Sequence, residues 1–358
     1  MRISVLAVAD LFDSGLSAVL DVLATANALR EEVAASVLPF EVTVAGTEAS
    51  VRTAHGLRLA TTPLAELDTV PDLLVVPAVA CGFKAPQHVV DIVRNHPALA
   101  HVAELYTAGS SLAAACTGTF FLAEAGVLDG LLATTSWWLG PAFRLRYTAV
   151  RLDDSRALAR DGRVTTAGAA FAHIDLALSI VAQQSPALAE MVARYLVIGD
   201  RPSQAVFAVP SHLAGTDPTV TAFERWVRSH VAEPLQISRV AAAIGVSERT
   251  LQRTTAAALG MSPIGFLQEI RLDEATFLLR TTSQTVDAVA AAVGYQNTST
   301  LRALVRRRRG TTISALRGPS RPLTSGPRPR TSPVGVVMPA PGGVRLARAC
   351  DSSAERTT

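Results

Sequence analysis

Residues 237–253 decide how the second half of the chain folds. They read Ile237-Ser-Arg-Val-Ala-Ala-Ala-Ile-Gly245-Val-Ser247-Glu-Arg-Thr-Leu251-Gln-Arg253. A short apolar helix ends at Gly245, because glycine can take the left-handed conformation that a tight turn requires. Ser247 then offers a side-chain oxygen that caps the next helix. Leu251 faces inward from that second helix, so the pattern predicts a helix-turn-helix motif whose outer face is polar and basic.

Residues 285–302 repeat this organisation. They read Thr285-Val-Asp-Ala-Val-Ala-Ala-Ala-Val-Gly294-Tyr-Gln-Asn297-Thr-Ser-Thr-Leu301-Arg302. Between the two segments, Ile264–Arg280 carries apolar residues at helical spacing and predicts a rigid spacer of about 25 Å. A single helix-glycine-helix corner is common in α-proteins. Two in tandem predict a domain that presents two recognition helices to major-groove segments about 34 Å apart.

Charge is distributed unevenly along the chain, whose formal net charge is +3. Residues 1–215 contain 14 basic and 20 acidic side chains, whereas residues 216–358 contain 19 basic and 10 acidic ones. A basic second half indicates a polyanionic partner. The alternative is a solubilising basic tail, but residues 216–317 alone contain 13 basic and 8 acidic side chains.

The first half alternates between apolar strand signals and amphipathic helix signals. Continuous apolar strands that alternate with helices predict a parallel sheet covered on both faces, a doubly wound, flavodoxin-like α/β sandwich. The expected strands are Ile3–Ala9, Phe40–Ala45, Asp72–Pro77, Leu112–Ala115 and Val164–Thr166. The expected helices are Ser17–Glu32, Gln87–Asn95, Ala98–Thr107, Thr119–Ala125 and Ile174–Gln183.

Composition divides the chain into four expected regions. Residues 1–196 form the α/β domain, residues 197–218 a glycine- and proline-containing linker, and residues 219–317 the helical domain. Residues 318–358 are rich in proline, glycine and arginine and are expected to be disordered.

The sequence also indicates the cellular location of the protein. No apolar run is long enough for a membrane span, and the first residues are typical of a buried strand rather than a signal peptide. Three distant cysteines, Cys81, Cys116 and Cys350, argue against a disulfide framework, so we expect a cytoplasmic protein.

Cys116 is the residue in the first half that could carry chemistry. It follows the strand Leu112–Ala115 and precedes the helix Thr119–Ala125, which is the arrangement of a nucleophile elbow. A helix N-terminus lowers the pKa of a thiol and favours thiolate. The sequence shows no phosphate-binding loop, dinucleotide fingerprint or metal-ligand spacing, so we expect no cofactor and no metal.

The helical region contains the motifs Arg225-Trp-Val, Leu251-Gln-Arg253, Gly260-Met-Ser-Pro263, Arg271-Leu, Val289-Ala-Ala-Ala-Val-Gly-Tyr295 and Leu301-Arg302. By these motifs, residues 219–317 resemble the AraC/XylS-type DNA-binding domain. Three departures remove aromatic volume, because Thr255, Val305 and Leu316 stand where the family usually has an aromatic residue. These departures predict a domain that is either marginally stable or dependent on its partner domain or on DNA.

This resemblance implies which side chains face DNA. The residues expected to contact bases are Arg249, Gln252 and Arg253 in the first half-site and Thr298, Thr300 and Arg302 in the second. The run Arg306–Arg309 has two interpretations that the sequence leaves open. Its members, Arg306 and Arg307 among them, either contact phosphates or form a solvated helix end that the helix dipole favours.

The first half contains the Cys116 elbow, Leu128-Asp-Gly130, Ala133-Thr-Thr135, Trp137, Thr166-Ala-Gly168 and Ile174-Asp-Leu-Ala-Leu178. By these motifs, residues 2–196 resemble the PfpI-like branch of the class I glutamine amidotransferase fold. The order of the two domains resembles that of the GlxA subgroup of regulators.

Catalytic members of that superfamily place a histidine beside the elbow cysteine and an acidic residue near the first helix. Here Thr117 follows Cys116, Ser136 replaces the histidine before Trp137, and Gly15 or a neighbour occupies the acidic position. Because a cysteine needs a base or a depressed pKa, we expect no catalysis, although His173 could approach Cys116.

A small-molecule pocket is the alternative use of this corner, at the carboxyl ends of the strands. Its expected lining residues are Cys116, Thr117, Ser136, Trp137 and Cys81. Within this pocket, Cys116 either meets a ligand or an oxidant, or is a relic that holds the turn.

Three functions follow from these patterns. The first is a dimeric transcription regulator that binds double-stranded promoter DNA and a small-molecule effector, with RNA polymerase as a further candidate partner. The second is a cysteine-elbow amidase or hydrolase with a helical appendage. The third is a scaffold whose DNA domain has lost binding, which the substitutions Thr255 and Val305 leave open.

Overall fold

The computed structural model describes residues 1–67, 69–81, 87–199, 203–204, 207–215 and 217–317. The predicted disordered tail, residues 318–358, lies outside the described residues. Within the described part, no helix has the length and apolar character needed to cross a membrane.

The first half folds around a mixed sheet in the order β10-β11-β7-β6-β1-β2-β5, in which only β10 runs antiparallel to its neighbour. Its central strands are buried on both faces because their apolar residues are continuous. The described strands are β1 (Arg2–Ala7), β2 (Glu41–Gly46), β3 (Ser50–Arg52), β4 (Arg58–Ala60), β5 (Thr62–Pro63), β6 (Leu73–Val76), β7 (Ser111–Ala115), β8 (Leu132–Ala133), β9 (Arg151–Leu152), β10 (Leu158–Asp161) and β11 (Val164–Ala167).

Helices cover both faces of this sheet. Alternate strand residues separate two cores: Leu74 and Leu112 pack with α2, α3 and α4, whereas Val75 and Ala113 pack with α1, α6 and α7. The doubly wound fold predicted from the sequence is therefore confirmed. The described helices here are α1 (Asp13–Val33), α2 (Gln87–Val93), α3 (Ala98–Thr107), α4 (Gly118–Glu124), α5 (Gly140–Arg146), α6 (Ala172–Gln184) and α7 (Pro186–Tyr195).

The second half is helical. The structure adds α8 within the segment 197–218 expected as linker, because Leu213 and Ala214 are buried against the helices that follow. The described helices are α8 (Pro210–Ala214), α9 (Pro218–Ser229), α10 (Ile237–Ala243), α11 (Glu248–Leu259), α12 (Pro263–Thr281), α13 (Val286–Ala292), α14 (Thr298–Arg309) and α15 (Ile313–Arg317).

Helix α12 joins two small cores. Its first half, with Phe266 and Ile270, packs in the core of α9, α10 and α11, whereas its second half, with Leu272 and Leu279, packs in the core of α13 and α14. The two helix-turn-helix motifs, α10–α11 and α13–α14, are thus held by one continuous helix. Its 19 residues correspond to about 28 Å.

Candidate functional site

The first helix-turn-helix motif has the turn and the cap that its sequence predicts. Gly245 adopts φ +76°, and the Ser247 side chain accepts a hydrogen bond from the Thr250 backbone N–H at 3.0 Å. Leu251 is fully buried, which fixes the rotation of α11 about its axis. The three expected base-reading side chains of this helix are exposed on its outer face: Arg249, Gln252 and Arg253.

The second motif uses Asn297 as its cap. The Asn297 carboxamide oxygen accepts hydrogen bonds from the Thr300 backbone N–H at 3.0 Å and from the Thr300 hydroxyl at 2.9 Å. The Thr300 hydroxyl proton is therefore committed to the cap, although its oxygen can still accept. Thr298 is half-buried at the first position of α14, whereas Arg302 is exposed.

The arginine run at the end of α14 divides into two pairs. Arg306 and Arg307 are exposed. Arg309 is buried and forms an ion pair with Glu269 of α12 at 2.6 Å, while Arg308 bonds the same carboxylate at 3.1 Å. Neither interpretation of the run holds for Arg308 and Arg309, because they join α14 to α12 instead of facing solvent or phosphate.

Arg271 is a structural residue whose role the sequence did not reveal. Its guanidinium donates to the Glu233 carbonyl at 2.6 Å and lies 5.4 Å from the centre of the Tyr295 ring. It thereby connects the loop before α10 to the turn after α13. A lone arginine within the apolar stripe of α12 was the available signal, because such a group must find buried partners.

The aromatic departures from the AraC pattern are accommodated without an unpaired polar group. Thr255 is fully buried, and its hydroxyl donates to the Leu251 carbonyl one turn earlier at 2.8 Å. Val305 is also fully buried, and Leu316 packs in the same core as Val305. Satisfied polar atoms remove one cause of instability, while the smaller side-chain volume remains.

Cys116 forms the sharp corner that the elbow pattern predicts. It has φ +57°, directly after β7, and is buried. The Ser136 hydroxyl lies 2.9 Å from the Cys116 sulfur, and the Thr135 hydroxyl donates to the Cys116 carbonyl at 2.7 Å. Burial raises the pKa of the Cys116 thiol, although hydrogen bonds from Ser136 and Thr117 oppose that shift. The expectation that the helix N-terminus favours thiolate is therefore wrong.

Two other expected pocket residues, Thr117 and Cys81, lie close to this corner. The Thr117 hydroxyl donates to the Val79 carbonyl at 2.8 Å and accepts from the Val79 N–H at 2.7 Å, so Thr117 connects the elbow to the segment that follows β6. Cys81 is buried, and burial together with the charge of Cys116 raises its thiol pKa to about 12. Neither of these two thiols forms a disulfide, and both are protonated near neutral pH because burial raises their pKa values.

His173 is committed to a structural role. Its Nε2 accepts a hydrogen bond from the Ala78 N–H at 3.1 Å, and its Nδ1 donates to the Ala170 carbonyl at 2.5 Å. Burial lowers the pKa of this imidazole to about 4. A side chain at Gly15 would place its Cβ 2.9 Å from the His173 ring, so the histidine occupies the space of an acidic residue there. Both ring nitrogens are engaged, so His173 cannot activate Cys116.

Gln204 connects the linker to the Thr134–Trp137 loop beside Cys116, and no pattern in the sequence indicates this contact. Gln204 is buried, and its amide nitrogen donates to the Thr135 carbonyl at 2.6 Å. Its amide oxygen accepts from the Trp137 N–H at 3.2 Å. His212 of α8 lies edge-on to the Trp137 ring, with the ring centres 5.7 Å apart. The Thr134–Trp137 loop is therefore shared by the elbow, the linker and α8.

No group of three or more histidine, cysteine or carboxylate side chains within the described ranges could hold a metal ion. The residues around Cys116 offer hydroxyl, amide and indole groups instead. The side chains of Thr117, Thr135 and Ser136 are buried, and their hydroxyl groups already form hydrogen bonds within the protein.

Comparisons with known proteins agree with the family resemblance of each half of the chain. A model of the DJ-1/PfpI family matches residues 1–183, and a helix-turn-helix domain model matches residues 240–318. The chain is 33% identical over 195 residues to the HTH-type transcriptional regulator CdhR of Pseudomonas aeruginosa, covering 53% of this chain and 58% of that protein.

Two further relatives are also transcription regulators by name. The chain is 27% identical over 243 residues to GbdR of Pseudomonas aeruginosa, covering 66% of this chain and 64% of that protein. It is 26% identical over 226 residues to GlxA of Rhizobium meliloti, covering 61% of this chain and 67% of that protein. The matched segments thus span less than two thirds of CdhR and of GbdR.

Proposed function

Because the chain belongs to the DJ-1/PfpI family and carries an AraC-type helix-turn-helix domain, we propose that it is a sequence-specific transcription regulator. Helices α11 and α14 enter successive major-groove segments of promoter DNA. The N-terminal domain binds a small-molecule effector and has no catalytic activity.

The observation that carries this proposal is the pair of exposed recognition helices fixed to one continuous helix. Helix α12 belongs to both cores, so the distance between the two motifs cannot vary freely. Its length of about 28 Å is close to the ~34 Å between successive turns of the major groove. A scaffold that had lost DNA binding would have no use for this spacing.

The exposed side chains take separate roles in the complex. Arg249, Gln252 and Arg253 contact base edges in the first half-site, where arginine suits guanine and glutamine suits adenine. Arg302 takes this role in the second half-site, assisted by Thr298 and Thr300. Arg306 and Arg307 contact phosphates, which adds affinity and salt dependence without sequence preference.

The effector site is assigned to the corner of Cys116, Thr117, Ser136, Trp137 and Cys81. Acyl transfer there would need a base beside the Cys116 sulfur. The group that is hydrogen-bonded to this sulfur is the Ser136 hydroxyl, which is not a base near neutral pH. The raised thiol pKa also argues against a nucleophile.

The remaining assignments concern the whole chain. We assign it a homodimeric state, a cytoplasmic location and RNA polymerase as a further partner. The α/β domain spans residues 1–196, the linker residues 197–218 and the DNA-binding domain residues 219–317.

The experiment is selection of bound fragments from a random DNA library by the full chain, repeated over a salt series. A bipartite motif with half-sites about one helical turn apart is expected. The R249A/R253A double variant should lose the first half-site. R58A/R160A, which removes two exposed arginines of the N-terminal domain, matches its net charge and should keep the motif. Salt-sensitive binding without an enriched sequence would refute the proposal.

A further inference from the structure

Glu248 is an exposed carboxylate on a helix whose other exposed charges are basic. It is the first residue of α11, directly after the Ser247 cap and directly before the expected base-reading residue Arg249. Its Oε1 accepts a hydrogen bond from the Gln252 Nε2 at 3.1 Å. Residues four apart on a helix share a face, so the carboxylate lies next to a side chain that is expected to read a base.

A helix-turn-helix motif does not require a carboxylate at this position. Helices α11 and α14 are both 12 residues long, and each begins directly after a capping side chain. When the two helices are aligned at their first residues, Thr298 of α14 takes the place of Glu248, and Arg302 takes the place of Gln252. An acid in the first turn favours a helix through its dipole, but α14 forms without one. Helix formation alone therefore does not account for Glu248.

Attraction to DNA does not account for Glu248 either. A carboxylate close to phosphate groups repels them, so it lowers the affinity of a recognition helix for DNA of any sequence. A group that costs general affinity on a base-reading face can still add discrimination between bases. The hydrogen bond between Glu248 and Gln252 shows how this discrimination arises.

This hydrogen bond limits what the Gln252 carboxamide can offer to DNA. A glutamine side chain has one acceptor oxygen and two N–H donors. Because one N–H is directed at Glu248, the amide keeps one N–H and its oxygen for a base.

The two purines differ in the groups that they present in the major groove. Adenine presents the N7 acceptor and the N6 amino donor, whereas guanine presents two acceptors, N7 and O6. One donor and one acceptor on Gln252 therefore match adenine. Two hydrogen bonds to guanine would need both N–H groups of the amide, and Glu248 holds one of them. Guanine is left to Arg249 and Arg253, whose guanidinium groups carry donors only.

We propose that Glu248 is a positioning residue for base recognition. By holding one N–H of Gln252, it makes this side chain select adenine and reject guanine in the first half-site. The inference rests on the proposed function, in which Gln252 contacts a base edge.

The test measures base preference with the full chain on the DNA motif that the unmodified chain selects. Gln252→Ala identifies the base pair that Gln252 reads, because the preference at that position should disappear. Affinity is then measured for duplexes with adenine or guanine at that position, using the unmodified chain, Glu248→Ala and Glu248→Gln. Asp287→Ala is the matched control, since Asp287 is an exposed acid in the first turn of α13. Circular dichroism checks that each variant is folded.

The unmodified chain should prefer adenine over guanine at least about tenfold, since one bidentate contact discriminates by about that factor. Glu248→Ala frees the second N–H of Gln252, so the preference should fall to about threefold or less, because guanine then also finds two donors. Glu248→Gln removes the charge but keeps an acceptor oxygen for Gln252, so it should retain the preference. Asp287→Ala should retain it as well, because its loss of charge leaves the Glu248–Gln252 hydrogen bond in place.

An undiminished preference for adenine in Glu248→Ala would overturn the proposal. Its loss in Glu248→Gln or in Asp287→Ala would also overturn it, because the charge and not the hydrogen bond would then be the cause. A preference for guanine at this position, or no position altered by Gln252→Ala, would have the same consequence. If the unmodified chain selects no motif at all, the proposed function itself fails, so the two failures are distinguishable.

Discussion

The two turn glycines, Gly245 and Gly294, offer a matched pair of substitutions. They occupy the same position in the two motifs and have similar φ angles of +76° and +79°. A Cβ at Gly245 would meet nothing within 4 Å. A Cβ at Gly294 would lie 2.5 Å from the Arg271 Nη2 and 2.6 Å from the Val231 carbonyl oxygen. Alanine would therefore strain the backbone equally at both sites, whereas only at Gly294 would its Cβ also collide with neighbouring atoms.

The expected loss of stability follows from this difference. Alanine in the left-handed region costs roughly 1–2 kcal/mol, so Gly245→Ala should lower the free energy of unfolding by about that amount. Gly294→Ala adds an overpacking cost of about 1–3 kcal/mol, because a backbone carbonyl cannot rotate away as a side chain does. Displacing Arg271 also weakens its hydrogen bond to Glu233, which is worth about 1 kcal/mol. The total for Gly294→Ala is about 4 kcal/mol.

The assay is urea unfolding of the full chain, followed by far-ultraviolet circular dichroism, with the midpoint and slope fitted for each transition. The transition of the helical domain should shift at least twice as far in Gly294→Ala as in Gly245→Ala. Equal shifts would refute the reasoning, because they would mean that Arg271 and the Val231 carbonyl give way without cost.

Three further predictions concern charged groups. Glu269→Ala leaves the buried Arg309 without its carboxylate and should destabilise the helical domain by about 3 kcal/mol in the same urea assay; a change within error would mean that Arg309 reaches solvent. Arg306→Ala should leave the urea midpoint unchanged and reduce the slope of log affinity against log salt by about 1; an unchanged slope would remove Arg306 from the phosphate contacts. The His173 imidazole has a pKa of about 4 in the folded chain and about 6.5 in the unfolded chain. Between these pH values the unfolded chain binds a proton that the folded chain does not. The free energy of unfolding should therefore fall by about 3 kcal/mol as the pH drops from about 6.5 to 4. His173→Gln should lack this part of the pH dependence, and equal losses in both chains would contradict the assignment.

Local features of the helical domain could be predicted from the sequence, because each depends on neighbours a few residues apart. Gly245 and Gly294 take positive φ angles, and Ser247 and Asn297 cap the helices that follow them. These contacts span three residues, so the residue types alone define them. The predicted helix-turn-helix pair is therefore confirmed in its details.

Contacts between distant segments could not be predicted in this way. Glu269 and Arg309 are 40 residues apart, and Gln204 reaches Thr135 across 69 residues. An arginine run looks solvated in the sequence, since nothing local indicates that Arg309 is buried beside a carboxylate. The thiol of Cys116 shows the same limit: its position at a helix N-terminus is local, whereas the burial that raises its pKa depends on the whole domain.

The hydrogen bonds at the elbow argue for a sensor rather than a relic. A relic that only held the turn would need no more than the backbone conformation of Cys116. Here the Thr135 hydroxyl donates a hydrogen bond to the Cys116 carbonyl, and the Ser136 hydroxyl forms one with the Cys116 sulfur. The same loop also accepts a hydrogen bond from Gln204 of the linker and leads into α5. Cys116 occupies the corner at which a related enzyme would bind its substrate. Through the Thr134–Trp137 loop, this corner is connected to the DNA-binding domain in two ways, by Gln204 of the linker and by α5, whose Arg144 packs on Gly260. Cys116→Ala should therefore alter DNA affinity although Cys116 belongs to the N-terminal domain. An unchanged affinity together with an unchanged response to metabolites would support the relic.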